Sequence, residues 1–346
     1  MHVVFIGVSH WHMSLYLDPV LGLPEVKIVG VSDPDGSVAQ QKAAPLQCAW
    51  STDYRKLCDE VRPDFAFVLG THADMAAACR FMIERGIAFC VEKPAGINAT
   101  EVSELAALAS KRGVFAAVPF VLRESQLLEA IRSRVDGGRV QFMSFRFIAG
   151  PVSRYLDAGC AWMLDRSIAW GGCLLNLGVH FVDLCHVLTL GAPVELESAV
   201  MSKVAGKQGV EDHALVVLRA DGGSVLCVIE TGYLYPAPSG VFDMRFSIRT
   251  DRHYFVATDT ETLEISDHQQ NREVLKIATT NVPYYSPFTR NVLARFSEGK
   301  PPSASLDDMA ATMKLVDAAY AAGWKRHLSL DGKRFATGTY LGLCQG

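Results

Sequence analysis

The chain lacks the features that mark several large classes of protein. Its 346 residues contain 33 Lys and Arg against 37 Asp and Glu, so it has no basic excess of the kind that nucleic-acid-binding proteins show. No two of its nine cysteines, from Cys48 to Cys344, form a Cys-x-x-Cys pair, which indicates reduced thiols rather than a disulfide framework or a zinc site. The apolar run at the N-terminus, Val3 to Ile6, is too short for a signal peptide or a membrane span. We therefore expect a soluble, cytoplasmic protein with no metal, nucleic-acid or membrane partner.

What the chain does contain is enough apolar sequence for two domains. Hydrophobic residues make up 49% of it and charged residues 20%, which is ordinary for a globular protein. At this length each of two domains can bury its own core.

Two apolar segments near the N-terminus predict a dinucleotide-binding βαβ unit. Val3 to Ile6 is followed at once by Gly7, and Lys27 to Val31 is followed closely by Asp33. A helix-length piece that closes at Gly22 lies between them. The turn lets backbone approach a pyrophosphate at a helix N-terminus, and an acid at the tip of the second strand binds ribose hydroxyls and repels a 2′-phosphate. Asp33 therefore indicates NAD rather than NADP.

The glycine motif of this turn is incomplete. Only Gly7 of the usual three glycines is present, and Ser9 and His12 stand where the second and third would be. His12 needs another role, either a phosphate contact or packing. His10 and His12 have no neighbouring acid or cysteine that would make them metal ligands.

The alternation of strands and helices continues and predicts a parallel, doubly wound sheet over residues 1–122. Predicted elements are a helix capped by Ser51 or Thr52 that runs through Val61, a strand from Asp64 to Leu69, a helix that closes at Gly86, a helix with an Asn98/Glu101 capping box that stops at Gly113, and a strand from Val114 to Phe120.

From residue 123 the pattern changes to an α+β domain with a large, mostly antiparallel open sheet. Its predicted strands are Val140 to Ile148, Glu195 to Val204, Asp212 to Arg219, Ser224 to Thr231, Asp243 to Thr250 and Tyr254 to Thr258. A late helix is capped near Ser305 and runs to Gly323, and it could pack back on the first domain. The domain is expected to cover residues 123–346.

Two stretches carry candidate chemistry. In the first, an apolar strand from Ala88 ends in Glu92, Lys93 and Pro94, at the sheet edge where α/β proteins bind ligands. In the second, a helix after Gly172 is apolar nearly all round.

That helix carries a line of three polar residues. Asn176, His180 and Asp183 fall within about a 60° arc of an ideal helix. Because a helix that is hydrophobic all round is buried, this polar line must be satisfied internally or face a cavity.

With these residues the chain resembles the Gfo/Idh/MocA oxidoreductases. The resemblance rests on the Gly7 turn with Asp33, on Glu92-Lys93-Pro94, on Gly171-Gly172-x-Leu174-x-Asn176-x-Gly178-x-His180-x-x-Asp183, and on the turn Glu298-Gly299-Lys300-Pro301-Pro302. It implies an N-terminal Rossmann domain and a C-terminal domain whose open sheet forms homodimers or homotetramers.

The resemblance also implies roles for individual residues. Lys93 would lie beside the nicotinamide and the substrate, and His180 would serve as the acid/base. Asn176 stands where many members have an aspartate, and the Gly70-Thr71-His72 loop departs from the family's Thr-Pro-Asn. The residues expected to bind the cofactor are Gly7, Ser9, His10, Trp11, His12, Asp33, Gly70, Thr71, His72, Glu92 and Lys93.

The implied reaction is hydride transfer between nicotinamide and a secondary alcohol of a sugar, cyclitol or nucleotide-sugar-like substrate. His180 would remove the hydroxyl proton while Lys93 stabilises the oxygen, or these roles could be exchanged. The substrate contacts expected are Arg123, Tyr155, Trp162, Asn176 and Asp183, with Trp170 as a further flat wall. Two alternatives stay open, a non-catalytic dinucleotide sensor and a redox-neutral lyase or epimerase.

Overall fold

The first six strands form a parallel sheet. The computed structural model describes residues 1–135, 139–204, 209–236 and 242–331. The strands are β1 (His2–Ile6), β2 (Lys27–Ser32), β3 (Ala49–Ser51), β4 (Phe65–Val68), β5 (Ala88–Val91) and β6 (Ala116–Ala117). Their order, β3-β2-β1-β4-β5-β6, with parallel pairing throughout, confirms the predicted doubly wound sheet. Its helices are α1 (Met13–Leu21), α2 (Gly36–Leu46), α3 (Tyr54–Val61), α4 (His72–Arg85) and α5 (Ala99–Arg112).

The helix ends follow the local sequence, with one correction. Gly86 and Gly113 end α4 and α5 in the left-handed conformation, as predicted. At α5, Asn98 accepts a hydrogen bond from the N–H of Glu101. The capping of α3 by Ser51 or Thr52 is wrong, because the Asp53 carboxylate accepts the bond from the helix and Ser51 belongs to β3.

The predicted strand from Val114 to Phe120 is also too long. Only Ala116–Ala117 pairs with β5. Pro119 has no N–H to donate to a sheet, and the N–H of Val118 bonds to the carbonyl of Ala304 instead. The chain leaves the first sheet at this point.

The second sheet has eight strands within the described ranges. They are β7 (Val140–Ile148), β8 (Val194–Ser202), β9 (His213–Ala220), β10 (Val225–Gly232), β11 (Asp243–Thr250), β12 (His253–Ala257), β13 (Thr262–Asp267) and β14 (Arg272–Lys276). Their order is β14-β13-β12-β11-β7-β10-β9-β8, and of these strands only β7 and β10 pair in parallel, which confirms the predicted mostly antiparallel sheet. Alternate residues of β11 are buried, so one face covers the core.

The last described helices pack back on helices of the first domain. The remaining helices are α6 (Gln126–Arg132), α7 (Ser153–Asp157), α8 (Arg166–Ala169), α9 (Val179–Leu188), α10 (Tyr285–Ser297) and α11 (Leu306–Asp331). Helix α11 packs on α5 and on β8, and α10 packs on α1. The predicted end of the last helix at Gly323 is wrong, because Gly323 lies against Met201 of β8 and the helix continues past it. The domain boundary at residue 122 stays a prediction.

Among the described residues one stretch, Arg166–Leu188, is long and apolar enough to cross a membrane, but 89% of its most apolar 18-residue segment is buried in protein. Core helices of soluble proteins share this property. The cysteines of the described residues are free, and Cys344 lies outside those residues.

Candidate functional site

A cleft lies at the carboxyl ends of β1, β2 and β4, and we call it the β1–β2 cleft. It has a volume of about 630 Å³. Gly7, after β1, has a φ of +74°, and a Cβ at this position would lie 2.1 Å from the backbone nitrogen of Gly70, after β4. Only glycine allows these two turns to touch. The lining includes Gly7, Ser9, His10, Asp33, Gly70, Thr71 and Trp162.

The β1–β2 cleft suits a dinucleotide. At the start of α1 the N–H of His12 bonds to His10 Nδ1, and the N–H groups of Met13 and Leu15 bond to backbone carbonyls. The features that suit a dinucleotide are therefore the touching glycine turns and the acid after β2. Asp33 directly follows β2, and its carboxylate accepts hydrogen bonds from the N–H groups of Ser9, at 2.7 Å, and Asp35, at 3.1 Å. The structure therefore brings together most of the residues predicted to bind the cofactor.

His72 is one predicted cofactor residue that does not line the cleft. Its ring is buried, and Nδ1 lies 2.8 Å from the carbonyl oxygen of Ala169. The ring also packs edge-on against Trp162 at 5.0 Å between centroids. His72 thus supports the wall that Trp162 provides, and Trp162 faces the β1–β2 cleft rather than a sugar site.

The loop after β1 separates this cleft from a second, smaller space, which we call the Lys93 cavity. Ser9 and His10 face the cleft, whereas Trp11 and His12 line the cavity. The Lys93 cavity has a volume of about 200 Å³. Its lining consists of Trp11, His12, Ser14, Leu15, Lys93, Phe147, Arg154, Asn176, Leu177, His180, Phe242, Asn281, Val282 and Tyr285.

Lys93 enters the cavity from the end of β5 with its side chain only 4% exposed. Its Nζ donates to two oxygens of Asn176, the side-chain Oδ1 at 2.5 Å and the backbone carbonyl at 2.8 Å. Burial lowers the pKa of Lys93 to about 8, with Glu92 opposing the shift and Arg154 adding to it. The lysine therefore changes charge close to neutral pH.

Glu92 lies behind Lys93 and does not line the cavity. Its Oε1 is 3.9 Å from Lys93 Nζ, and its Oε2 is 3.3 Å from His12 Nδ1 and accepts a hydrogen bond from the Tyr16 hydroxyl. Burial alone would raise the pKa of Glu92, but its contact with His12 and, after it, the charge of Lys93 outweigh burial and hold that pKa below its ordinary value. Glu92 is thus a buried anion that balances Lys93.

His180, on α9, lines the same cavity as Lys93. The residue is 3% exposed, and neither ring nitrogen has a hydrogen-bond partner among the described residues. Burial, and after it the charge of Lys93, lower the pKa of His180 to about 3. The imidazole is therefore neutral at physiological pH, and it can give or take one hydrogen bond in the cavity.

The helix that carries Asn176 and His180 begins with a π-helical turn, Leu174–Gly178, and continues as α9. The buried Glu211 carboxylate holds its start by accepting bonds from the N–H groups of Gly172 and Leu174 and from the Tyr320 hydroxyl. A Cβ at Gly172 would lie 1.9 Å from the Glu211 carbonyl oxygen. Gly172 thus lets the helix approach Glu211.

Asn176 connects the lysine side of the cavity to an arginine. While its Oδ1 accepts from Lys93, its Nδ2 donates to the hydroxyl of Tyr155 at 2.7 Å. The same hydroxyl accepts a bond from Arg154 at 2.5 Å. Tyr155 therefore reaches the site through its hydroxyl, but its ring does not line the cavity.

Arg123 and Asp183 do not reach the cavity, contrary to their predicted role as substrate contacts. The Arg123 guanidinium forms a two-pronged ion pair with Asp183 and a further bond to Asp308 at 2.8 Å. These bonds tie α9 to the start of α11. Asp183 is the member of the predicted polar line that packs away from the site, and Trp170 also lies outside the cavity lining.

Several cavity residues were not predicted from the sequence. Arg154, Ser14 and Asn281 supply polar groups, and Tyr285 supplies a flat wall. Each comes from a segment with no motif, and only the tertiary fold brings them to Lys93. No group of three or more possible metal ligands occurs in the described parts of the chain.

Both halves of the chain match known protein families. Residues 1–120 match the family model described as the oxidoreductase family, NAD-binding Rossmann fold, and residues 130–256 match the Gfo/Idh/MocA C-terminal domain. The trans-1,2-dihydrobenzene-1,2-diol dehydrogenase of Bos taurus is 28% identical over 204 residues, which span 58% of this chain and 58% of that enzyme. The alignment thus covers less than two thirds of the bovine enzyme.

Two solved structures share the fold. GenD2 from gentamicin A biosynthesis, in complex with NAD, superimposes with a TM-score of 0.79 at 19% identity and covers 94% of this chain and 95% of its own. KijD10, a 3-ketoreductase from Actinomadura kijaniata in complex with NADP and TDP-benzene, gives a TM-score of 0.76 at 17% identity, with 93% and 97% covered. With both domains matched, the chain belongs to the Gfo/Idh/MocA family of oxidoreductases.

Proposed function

We propose that the protein is an NAD-dependent dehydrogenase that oxidises a secondary alcohol of a small polyol, sugar, cyclitol or diol. The observation that carries the proposal is the pair Lys93 and His180, which face one cavity beside a dinucleotide cleft. A bound nicotinamide supplies the hydride acceptor. The protein's own residues have to hold the hydroxyl and move its proton.

Lys93 is the better candidate for the proton acceptor. A general base works best when its pKa is close to the operating pH, and the pKa of Lys93 is about 8 whereas that of His180 is about 3. Neutral Lys93 takes the hydroxyl proton, and neutral His180 orients the same hydroxyl through a free ring nitrogen. The resemblance implied the opposite roles, with His180 as the base and Lys93 as the group that stabilises the oxygen.

The charge of the β1–β2 cleft supports NAD over NADP. Among the described residues of its lining, four carboxylates, those of Asp33, Asp35, Asp53 and Asp74, stand against the single guanidinium of Arg55. A 2′-phosphate would meet this negative charge. The two structural neighbours, one with NAD and one with NADP, leave this preference open.

The size of the Lys93 cavity favours a small substrate. Its volume of about 200 Å³ lies below the range of roughly 300–1,000 Å³ for sites that hold drug-sized ligands. A monosaccharide, cyclitol or diol is therefore favoured over a nucleotide sugar, in line with the diol named for the bovine relative. We also propose that the eight-stranded sheet forms a homodimer or homotetramer, since Val200, Tyr254 and Val274 expose apolar surface on it.

The test is absorbance at 340 nm with NAD and a panel of polyols, sugars, cyclitols and diols. Lys93→Ala should lower turnover by about 100-fold or more and leave NAD affinity nearly intact. Lys111→Ala, on the exposed face of α5, serves as the matched control. Near-normal activity of Lys93→Ala would contradict the assignment, and NAD binding without absorbance change on any substrate would favour the sensor or the redox-neutral lyase or epimerase.

A further inference from the structure

The Lys93 cavity has an excess of positive charge that the proposed reaction does not explain. Lys93 and Arg154 line it, and no Asp or Glu occurs among the described residues of the lining. The nearby carboxylate of Glu92 lies behind Lys93, 3.9 Å from its Nζ, and balances that lysine. Burial lowers the pKa of both His12 and His180, so neither imidazole is expected to add a charge. Of the cavity's two cations, Arg154 is therefore the one left without a counterion among the described residues.

Arg154 is held as a binding group would be. Its guanidinium packs over the rings of Tyr155, at 4.7 Å, Trp11, at 5.2 Å, and Tyr233, at 5.8 Å. Within the described part of the chain no carboxylate pairs with it, and its buried Nε has no hydrogen-bond partner. Aromatic faces fix the plane of the guanidinium and leave N–H groups free, and this planar fork matches a carboxylate.

The amide at position 176 keeps this charge uncompensated. Asn176 bridges the two cations, since Oδ1 accepts from Lys93 and Nδ2 donates to the Tyr155 hydroxyl that Arg154 contacts. A carboxylate in this place would neutralise one of them. With an amide there, the negative charge has to come from the bound molecule.

We propose that the substrate is a hydroxy acid whose carboxylate binds Arg154 while its secondary hydroxyl lies at Lys93 and His180. Aldonates, uronates and smaller polyhydroxy acids belong to this class. The inference rests on the proposed function: the C–H bond breaks, its hydride reduces NAD, the hydroxyl proton passes to Lys93, and a keto acid forms. Ser14 and Asn281 are the remaining polar groups available to further hydroxyls.

The kinetic test uses pairs of substrates that differ in charge alone. Aldonates of four to six carbons are compared with the alditols of the same configuration, in the wild type and in Arg154→Gln, Arg154→Lys and the control Arg85→Gln, which lies on the exposed end of α4. The wild type should prefer the acids. Arg154→Gln should lower kcat/KM for the acid by about 10- to 150-fold, mainly through KM, and lower kcat/KM for the alditol by a clearly smaller factor.

Arg154→Lys should recover part of the loss, because it keeps the charge but not the planar fork. Equal effects of Arg154→Gln on acid and alditol, or a wild type that prefers the alditol, would overturn the proposal and leave the dehydrogenase assignment standing.

Calorimetry separates this proposal from the proposed function. The protein with saturating NADH is titrated with the aldonates and the alditols, so that no turnover is needed. If the wild type binds the aldonate and Arg154→Gln does not, the carboxylate site is supported. This holds even if no substrate reduces NAD, a result that would contradict only the proposed dehydrogenase function. The proposed carboxylate site would be contradicted if the wild type does not bind the aldonate, or if Arg154→Gln binds it as tightly as the wild type does.

Discussion

The charge state of Lys93 should control the pH dependence of alcohol oxidation. Because burial lowers its pKa to about 8, the neutral fraction falls from one half at pH 8 to about one hundredth at pH 6. If neutral Lys93 is the base, kcat/KM for a neutral polyol should fall by about 50-fold over this interval and level off above about pH 9. At saturating NAD the profile of kcat/KM for the polyol reports the enzyme–NAD complex before the polyol binds, and a polyol does not itself titrate in this range.

A single substitution should move this profile in a known direction. Asn176→Asp places a carboxylate where an amide oxygen now lies 2.5 Å from Lys93 Nζ. An opposite charge this close raises a lysine pKa by about 1–3 units. The acidic limb should therefore shift from about pH 8 to about pH 9–11, and kcat/KM at pH 7.5 should fall by about 10-fold or more.

The control is His180→Gln, which removes the other possible base. Because His180 is neutral in this range, its loss should reduce the rate but leave the limb near pH 8. The assay is the initial rate at 340 nm from pH 5.5 to 10.5 in buffers of constant ionic strength. A limb that stays in place in Asn176→Asp, or disappears in His180→Gln, would refute the role of Lys93.

Three further substitutions test the rest of the site. Asp33→Ala should weaken NAD binding by about 10- to 150-fold and narrow its advantage over NADP; titration of both cofactors by fluorescence checks this, and an unchanged ratio would show that Asp33 does not contact the ribose. Glu211→Ala removes the acceptor that holds Gly172, Leu174 and Tyr320, so the free energy of unfolding measured in urea should fall by about 2–5 kcal/mol. The control Glu197→Ala, at a half-exposed side chain, should lower it by about 0.5 kcal/mol or less. Arg123→Met breaks the buried pair with Asp183 and should cost about 3–5 kcal/mol with KM unchanged; a raised KM at normal stability would return Arg123 to the substrate site.

Apolar runs were sufficient to predict four of the six strands of the first sheet, whereas β3 was not predicted and β6 was predicted too long. β1, β2, β4 and β5 are short and mostly buried, and each is a largely apolar segment before a turn. The last two strands, β13 and β14, were not predicted. β14 is exposed at four of its five positions and half-buried at the fifth, so it has no apolar side that a sequence could show.

A site residue was predictable from the sequence only where the pattern of its own segment marks it. Lys93 was found because a buried strand ends beside it, and His180 because a polar residue interrupts an apolar helix. The π-helical turn before His180 depends on Glu211, which lies 31 residues later than His180 in sequence and bonds to the start of the helix. Arg154 was not found, because its three aromatic neighbours and its missing counterion are properties of the tertiary structure.

The return of α10 and α11 to the first sheet has a consequence for biosynthesis. Phe296 of α10 packs against Phe65 of β4, and α11 covers α5, where its Asp317 accepts a bond from the N–H of Ala99. Domains generally fold in order as the chain leaves the ribosome. Here Phe65 and the face of α5 that α11 covers stay uncovered until α10 and α11 have been translated. The nascent N-terminal half therefore exposes apolar surface during elongation. We expect a chaperone to be needed at this stage.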